Sequence, residues 1–354
     1  MKTEQYKDHV YVSNYLATDY PDIYEALSNI LSKHNIPFNY IEYTKDYWCR
    51  DFMPIQLGYQ TYCQFVYNPD YLKKKQQYRT DTDFVIEKMD IFQANIEKCP
   101  LIIDGGNIVV CEEDSTNWNC KNHTIIMTDK VMLENPKYTQ EQIEEIIKEA
   151  LHDKDLEIVW LPWEQKEKDP CGHTDGIVKF VGRNKEGKPI ILTNLTIYGD
   201  DLASRMRNIL EKKFEVKEIQ LSEYHEHSWA YINMLQTRDV IIIPGVGNGK
   251  TDEEAFEQIK AIFPEYGNNI YQVQMREFIA KGGGALNCCT WTVSKKMSAI
   301  PHNKENDQKY NALVKKAKAN EDRISREEMF FMGDYYPLKL ESISVRLDKW
   351  YWGW

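Results

Sequence analysis

The stretch HTIIMTDKVMLENPKYTQEQIEEIIKEALHDKDLEIVWLP (123–162) has two short apolar runs on either side of an amphipathic segment. The runs HTIIMT (123–128) and LEIVWLP (156–162) are bounded by turn residues, which is typical of strands. Between them, the apolar residues of TQEQIEEIIKEALHD (139–153) recur with the spacing of one helix face. Strand, helix and strand in this order indicate an α/β protein.

The same pattern continues on both sides of this stretch. Further runs typical of strands occupy residues 9–16, 38–44, 100–111, 176–182, 189–198 and 238–247. Further helical patterns occupy residues 22–35, 200–214 and 252–263. Two capping boxes are predicted, because Thr139 is followed by Gln142 and Thr251 by Glu254. The recurrence is compatible with a structural repeat, although the units are not alike in sequence.

Composition and charge narrow the class of protein. The 354 residues are 42% hydrophobic and 28% charged, which is typical of a globular chain. The formal net charge of −11 argues against a nucleic-acid partner or an anionic membrane surface, and it suits a cationic ligand. Because no apolar run follows the basic start MKTEQYKDHVYVSNYL, we expect neither a signal peptide nor a membrane span, and a cytoplasmic protein.

The eight cysteines show neither a CxxC pair nor a Cys/His spacing suited to zinc. We expect most of them to be small buried hydrophobic residues in a reducing compartment. They are Cys49, Cys63, Cys99, Cys111, Cys120, Cys171, Cys288 and Cys289.

The segment PGVGNGKT (244–251) looks at first like a phosphate-binding loop. A Walker A motif would need glycine where the chain has Pro244, and a dinucleotide fingerprint would need glycine where it has Lys250. We therefore predict a turn from a strand into a helix.

The C-terminal part differs in composition from the rest. From about Ser294 the chain is polar and rich in lysine, a helix is predicted around residues 306–323, and the chain finishes as LDKWYWGW. Its aromatic residues would be costly to leave in water, so we expect the tail to pack on the domain or at a subunit interface of a homo-oligomer. A stacking platform is the alternative. We predict one domain over residues 1–295 and an extension over residues 296–354.

Four segments carry charged or reactive groups beside glycine or aromatic residues. They are DYWCRDFMP (46–54), IIDGGNIVV (102–110), CGHTDGIVKF (171–180) and GGGALNCC (282–289). Each has an ordinary explanation: an ion pair under a tryptophan, a turn, a tied loop and a helix end, respectively.

Together the four segments supply complementary chemistry. A reactive thiolate needs a partner that both accepts and donates protons near neutral pH, and His173 is the best candidate because Asp175 lies two residues away. If this segment is extended, both side chains point to one face. With Asp51 and Asp104, the site would be anionic, and carboxylates can hold a planar cation such as a guanidinium bidentately.

In this order, the segments resemble the agmatine deiminase and Porphyromonas-type peptidylarginine deiminase family of the guanidine-modifying, or pentein, superfamily. The family's WxRDxGP, acid-Gly-Gly, GHxD and GGGxxHC elements are matched, and its SYxN pattern is matched loosely. The matching residues are Trp48 to Pro54, Asp104 to Asn107, Gly172 to Asp175, Gly282 to Cys288 and Ala230 to Asn233. The resemblance spans roughly residues 10 to 295.

This resemblance implies a five-bladed α/β propeller of ββαβ units with a central active site. It implies that Cys288 attacks the guanidinium carbon, that Asp51 and Asp175 hold the nitrogens, and that His173 transfers protons. Asp104 would orient His173. Further substrate contacts are implied for Trp48, Asn233, Gly283 and Gly284. Neither a metal nor an organic cofactor is implied.

Several residues around the reacting groups depart from the usual agmatine deiminase pattern. Asp104 stands where glutamate is usual and Asn287 where histidine is usual; Ala285, Trp291 and Met53 also differ. Guanidine chemistry is therefore better supported than agmatine as the substrate. Deimination of peptide arginine, amidino transfer and non-catalytic guanidine binding remain alternatives.

Two adjacent cysteines follow the three glycines. Neighbouring side chains in an extended or turning segment point in different directions, so only one thiol can face a given cavity. Alignment with GGGxxHC selects Cys288 and leaves Cys289 as a packed side chain.

Overall fold

The computed structural model describes residues 1, 3–58, 61–89, 95–111, 123–164, 169–294 and 304–319. The strands are β1 His9–Ser13, β2 Phe38–Ile41, β3 Ile55–Gly58, β4 Thr61–Val66, β5 Asn95–Ile102, β6 Val109–Cys111, β7 Thr124–Thr128, β8 Glu157–Leu161, β9 Val178–Arg183, β10 Pro189–Thr193, β11 Glu215–Glu218, β12 Leu235–Gln236, β13 Ile241–Gly245, β14 Ile270–Gln274 and β15 Thr290–Val293. The helices are α1 Asn14–Asp19, α2 Pro21–Lys33, α3 Cys49–Phe52, α4 Thr82–Lys88, α5 Lys130–Glu134, α6 Gln140–Ala150, α7 Asp200–Glu211, α8 Gly249–Ile262, α9 Arg276–Gly282, α10 Leu286–Cys289 and α11 Lys304–Ala319.

The strands form five sheets of three strands each, and every sheet has the same plan. The middle strand pairs antiparallel with one neighbour and parallel with the other, and the parallel connection passes through helical structure. The middle strands are β1, β4, β7, β10 and β13. This plan confirms the predicted α/β propeller of five ββαβ blades.

One sheet joins distant parts of the chain. Strand β15 pairs antiparallel with β1, with His9 opposite Val293 and Val12 opposite Thr290, and β1 pairs in parallel with β2. The first and last strands of the repeat therefore share one blade, and their pairing closes the ring of sheets.

The buried core explains why the central strands are apolar throughout. Ile241, Ile242 and Ile243 of β13 are all fully buried, because both faces of this strand are covered. Helix α8 contributes the fully buried Ala255 and Ile259 to the same core cluster.

The predicted helix starts had different outcomes. The capping box of Thr139 and Gln142 at α6 is confirmed, with both reciprocal hydrogen bonds present. The capping box of Thr251 and Glu254 is wrong, because α8 begins three residues earlier than that box implies, and Asn248 accepts from the backbone N–H of Thr251.

Several predicted strands are shorter than expected. The run 9–16 gives β1 only as far as Ser13, whose hydroxyl accepts from the N–H of Tyr15 and starts α1. The run 100–111 is divided between β5 and β6 by a 3-10 turn at Gly105–Asn107. The predicted turn at PGVGNGKT is confirmed, since β13 ends at Gly245 and α8 begins at Gly249.

The chain divides into two compact units, the first formed by residues 1–113 and 121–293 and the second by residues 114–120 and 294–354. In the second unit, the structure describes Ser294 and α11, which confirms the predicted helix over residues 306–319. The rest of that predicted helix and the aromatic tail, including Trp350, Tyr351, Trp352 and Trp354, lie outside the described residues. The boundary at residue 295 stays a prediction.

Candidate active site

The candidate residues occupy equivalent places in the five repeats. Each sheet is joined to the next by a segment with a short helical turn between the last strand of one and the first strand of the other. These turns are α3, α10 and the 3-10 turns Gly105–Asn107, Thr174–Gly176 and Ser228–Ile232. They carry or adjoin Asp51, Asp104, His173, Asp175, Asn233 and Cys288.

Hydrogen bonds join each turn to its neighbour in the ring. The N–H of Gly106 donates to Asp51 Oδ1 at 3.0 Å, and Thr174 Oγ1 donates to Asn107 Oδ1 at 2.7 Å. Asn233 continues the ring, because its Nδ2 donates to the carbonyl of Asp175 at 3.3 Å and its Oδ1 accepts from the N–H of Cys288 at 3.2 Å. The structure therefore gives Asn233 a structural role between two turns.

His173 lies between two carboxylates. Its Nε2 is 3.0 Å from Asp104 Oδ2, and its Nδ1 is 3.4 Å from Asp51 Oδ1. The hydroxyl of Tyr71 donates to the same Asp104 oxygen at 2.9 Å. Asp104 is buried and is held in place by the hydrogen bond from Tyr71. Its contact with Nε2 can therefore fix the plane of the imidazole of His173.

Asp175 lies beside the thiol of Cys288. The distance from Cys288 Sγ to Asp175 Oδ2 is 3.7 Å, and Asn287 Nδ2 donates to that oxygen at 2.7 Å. The segment around His173 is not extended as assumed, because residues 174–176 form a 3-10 turn. We call Cys288, His173, Asp51, Asp104 and Asp175 the reactive cluster; all five side chains are buried.

The pKa values of this cluster reflect burial and crowding of like charges. Burial alone would lower the pKa of His173, but Asp51 and Asp104 outweigh it and raise that pKa to about 10. Burial raises the pKa of Asp51 to about 8, with His173 opposing the shift and Asp104 adding to it. At neutral pH the imidazole is therefore a cation and Asp51 keeps its proton much of the time, so the cluster carries fewer negative charges than it has carboxyl groups.

The same environment keeps the nucleophile candidate protonated at rest. Burial raises the pKa of the Cys288 thiol well above its ordinary value, and the charges of Asp175 and Asp51 raise it further. A cation bound at the carboxylates would reverse part of this effect.

The neighbouring Cys289 faces elsewhere. Its Sγ is 3.6 Å from the carbonyl oxygen of Leu286, and the residue is fully buried in an apolar core cluster. Two adjacent thiols on α10 thus have separate surroundings, and only Cys288 contacts the reactive cluster.

Backbone conformation and close packing explain why glycine occupies the three positions before Ala285. Gly283 ends α9 in the left-handed region, with φ of 74°. A Cβ on Gly284 would lie 2.2 Å from Trp48 Cζ3, and one on Gly282 would lie 2.8 Å from the same ring. The helix-end explanation is thus correct, and Trp48 packs on the glycine backbone.

Two residues near the cluster had no functional expectation from the sequence. Tyr71 comes from the segment 65–72, and only its long-range bond to Asp104 reveals it. The spacing of residues around Asp46 does not indicate a role for it. Asp46 is buried, which raises its pKa to about 7, and the charge of Asp104 contributes to that shift.

Within the described ranges, no group of three or more His, Cys, Asp or Glu side chains could hold a metal ion. The same part of the chain contains no helix of the length and apolarity needed to span a membrane.

Comparisons with known proteins agree with this geometry. The family model described as Porphyromonas-type peptidyl-arginine deiminase matches residues 12–293. A Shewanella baltica protein provisionally named an agmatine deiminase is 25% identical over 221 residues, which cover 54% of this chain and 56% of that protein. The chain thus spans little more than half the length of this curated relative.

Solved structures show the same fold at lower identity. The agmatine deiminase of Enterococcus faecalis is 17% identical, with a TM-score of 0.59 over 83% of this chain and 95% of that one. An amidinotransferase from Microseira wollei is 12% identical, with a TM-score of 0.51 over 82% and 96%.

Proposed function

Since this chain belongs to the Porphyromonas-type peptidyl-arginine deiminase family, we propose that it hydrolyses the guanidino group of a small cation, with agmatine the first substrate to test. The observation that carries the proposal is the buried contact of Cys288 Sγ with Asp175 in the cluster that contains His173. The products are a ureido compound and ammonia.

The charge of the reactive cluster selects a cation. Three buried carboxyl groups lie in one cluster with a single imidazolium, and the second oxygens of Asp104 and Asp175 have no hydrogen-bond partner among the described residues. A guanidinium supplies planar N–H donors and a positive charge together. Asp175 and Asp51 hold its nitrogens, which places its carbon near the sulfur of Cys288.

Substrate binding itself activates the nucleophile. The positive charge of the guanidinium lowers the pKa of the Cys288 thiol, so the thiol releases its proton to solvent water as the cation enters, while His173 keeps its own proton. The thiolate sulfur then forms a bond to the guanidinium carbon and gives a tetrahedral adduct.

His173 carries the protons of both half-reactions. Its imidazolium protonates the departing nitrogen, the carbon–nitrogen bond breaks, and ammonia leaves a thiouronium on Cys288. Neutral His173 then takes a proton from water as that oxygen attacks the same carbon. The carbon–sulfur bond breaks, the thiol is regenerated, and the ureido product is released.

The test is incubation of the purified protein with agmatine, arginine, arginyl peptides and methylguanidines, with ammonia and ureido product both measured. Equal amounts of both products are expected from at least one small guanidine. If no guanidine yields product, the hydrolase proposal fails. Mass spectrometry after treatment with 2-chloroacetamidine identifies the modified residue, which we expect to be Cys288.

Alternative activities give different outcomes in the same assay. Product from arginyl peptides alone would indicate peptide deimination, and a transferred amidino group without ammonia would indicate a transferase. A non-catalytic guanidine binder is favoured by one observation, the raised pKa of the Cys288 thiol. Such a binder has no turnover, and its affinity for agmatine survives in Cys288→Ala.

A further inference from the structure

A second group of charges, one of them buried and two partly buried, lies near Asp175. The carboxylate of Glu4, in the turn Glu4–Tyr6 near the N-terminus, forms ion pairs with Arg50 at 2.6 Å and with Lys179. We call these three residues the cation network. Burial opposes ionisation of Glu4, but Lys179 and Arg50 hold its pKa below the usual value, so the network contains one carboxylate and two cations.

Arg50 connects this network to Asn287. Its Nη2 donates to Asn287 Oδ1 at 3.0 Å as well as to Glu4, and its Nε donates to the carbonyl of Asn287 at 3.4 Å. Arginine donates and cannot accept, so the amide oxygen of Asn287 must face Arg50.

That constraint decides what Asn287 presents to Asp175. An amide has one accepting end and one donating end, and with the oxygen towards Arg50 the Nδ2 points to Asp175 Oδ2 at 2.7 Å. A flipped amide would put two acceptors against each other. The orientation of Asn287 therefore fixes one oxygen of Asp175 beside Cys288 and leaves the other for a ligand.

Glu4 is the first residue in this series of contacts, which runs from Glu4 to Arg50, then to Asn287 and Asp175. A cavity lies on its side of the structure, bounded by Thr3, Glu4, Arg50, Lys179, Asp175 and Asn287 among others. Cys288, His173 and Asp104 are not among the residues that line it. Without the Glu4 carboxylate, the guanidinium of Arg50 would lose its ion pair and could turn towards this cavity.

We propose that Glu4 is a positioning residue for Asp175 and acts through Arg50 and Asn287, which makes the N-terminal turn part of the working active site. The inference rests on the proposed function, because it concerns how Asp175 receives a guanidinium. Glu4 has no hydrogen bond to Cys288, His173 or Asp175; its effect reaches them through the orientation of one amide and one carboxylate and through its charge, which adds to the raised pKa of Asp175.

Two alkylating reagents separate positioning from general damage. The cationic 2-chloroacetamidine needs Asp175 to guide it to Cys288, whereas neutral iodoacetamide reports the accessibility and reactivity of the thiol alone. The variant Glu4→Met/Lys179→Met removes one charge of each sign and keeps the net charge. We expect inactivation by 2-chloroacetamidine to slow by about tenfold or more, and that by iodoacetamide to change less than about twofold.

A graded variant and a matched control complete the experiment. Glu4→Gln keeps an acceptor for Arg50, so a smaller loss of about threefold with the cationic reagent is expected, and this variant serves if the double variant does not fold. Glu145→Met/Lys148→Met removes an ion pair from the outside of α6 and should change neither rate.

The outcomes distinguish the two proposals. Equal slowing with both reagents, or no slowing with either, overturns the role of Glu4 while wild-type reactivity leaves the proposed function intact. A wild-type protein that is inert to 2-chloroacetamidine and turns over no guanidine sinks the proposed function and this inference together.

Discussion

The reactive cluster and the cation network are neighbouring groups of buried charge with opposite character. In the cation network, one carboxylate is shared by two cations, and Arg50 also donates from Nη2 and Nε to oxygen atoms of Asn287 and Thr292. In the reactive cluster, Asp51 and Asp104 flank one imidazolium and Asp175 contacts the thiol of Cys288, and oxygens of Asp104 and Asp175 have no hydrogen-bond partner within the described part of the chain. The difference teaches that charge left uncompensated inside a protein marks where a ligand of opposite charge belongs.

The largest expected effect separates the two adjacent thiols. Cys288→Ala should lower turnover of a guanidine substrate by at least about 10⁴-fold, because it removes the thiol that contacts Asp175, whereas the thiol of Cys289 faces the carbonyl of Leu286. Cys289→Ala should retain activity within about threefold and remain open to alkylation at Cys288. Ammonia release and peptide mass mapping check both, and the reverse pattern would refute the choice of Cys288.

A smaller loss of activity is expected when the contact between Asp104 and His173 is changed. Asp104→Asn keeps the shape of the side chain but removes the charge beside His173, so the pKa of His173 falls and kcat should drop by about 10² to 10³-fold. Tyr71→Phe removes one hydrogen bond to Asp104 and should cost much less. The pH dependence of kcat and the NMR titration of His173 measure the change; an unaltered titration would contradict the assigned pairing.

In the cation network, the expected effect is on stability. Lys179→Met leaves Glu4 with one cation instead of two in a buried position, and the free energy of unfolding should fall by about 3 kcal/mol. Lys148→Met on the surface of α6 should change it by less than about 0.5 kcal/mol. Urea denaturation compares the two variants, and equal stabilities would mean that the network does not hold the fold.

The smallest expected effect is an increase in the free energy of unfolding, for a variant of Asp51. The pKa of Asp51 is raised to about 8 in the folded protein, so the folded state binds this proton more tightly than the unfolded state and loses stability as the pH rises from about 4 to 8. Asp51→Asn should therefore gain about 1–2 kcal/mol near pH 8 while losing activity. Urea denaturation at pH 5 and pH 8 tests this, with a gain that must grow with pH.

The sequence predicts local structure well where the signal is local. The capping box of α6 and the apolar run of β13 depend on neighbouring residues, and both appear as expected. Strand β11, EVKE, is polar and half-buried, and β12 has two residues, so neither has a periodic pattern to detect. Their pairing is decided by the sheets that they join.

The site shows the same division between local and distant information. Spaced motifs identify the reactive cluster because each motif lies in one turn of the repeat. The orientation of the Asn287 amide could not be predicted, since it is set by a hydrogen bond from Arg50, 237 positions earlier in the sequence. The guanidinium of Arg50 is in turn held by Glu4. Such contacts are fixed only when the five sheets have assembled.

The pairing of β15 with β1 also sets the order in which the protein becomes competent. Cys288 is the last member of the reactive cluster along the chain, and β15 begins at Thr290, directly after α10. We expect contacts across 278 to 284 positions to form late in folding, because the entropy of closing so large a loop must be overcome first. The acidic residues and the imidazole of the cluster are thus synthesised before Cys288, and we expect the proposed nucleophile to join them as β15 pairs with β1.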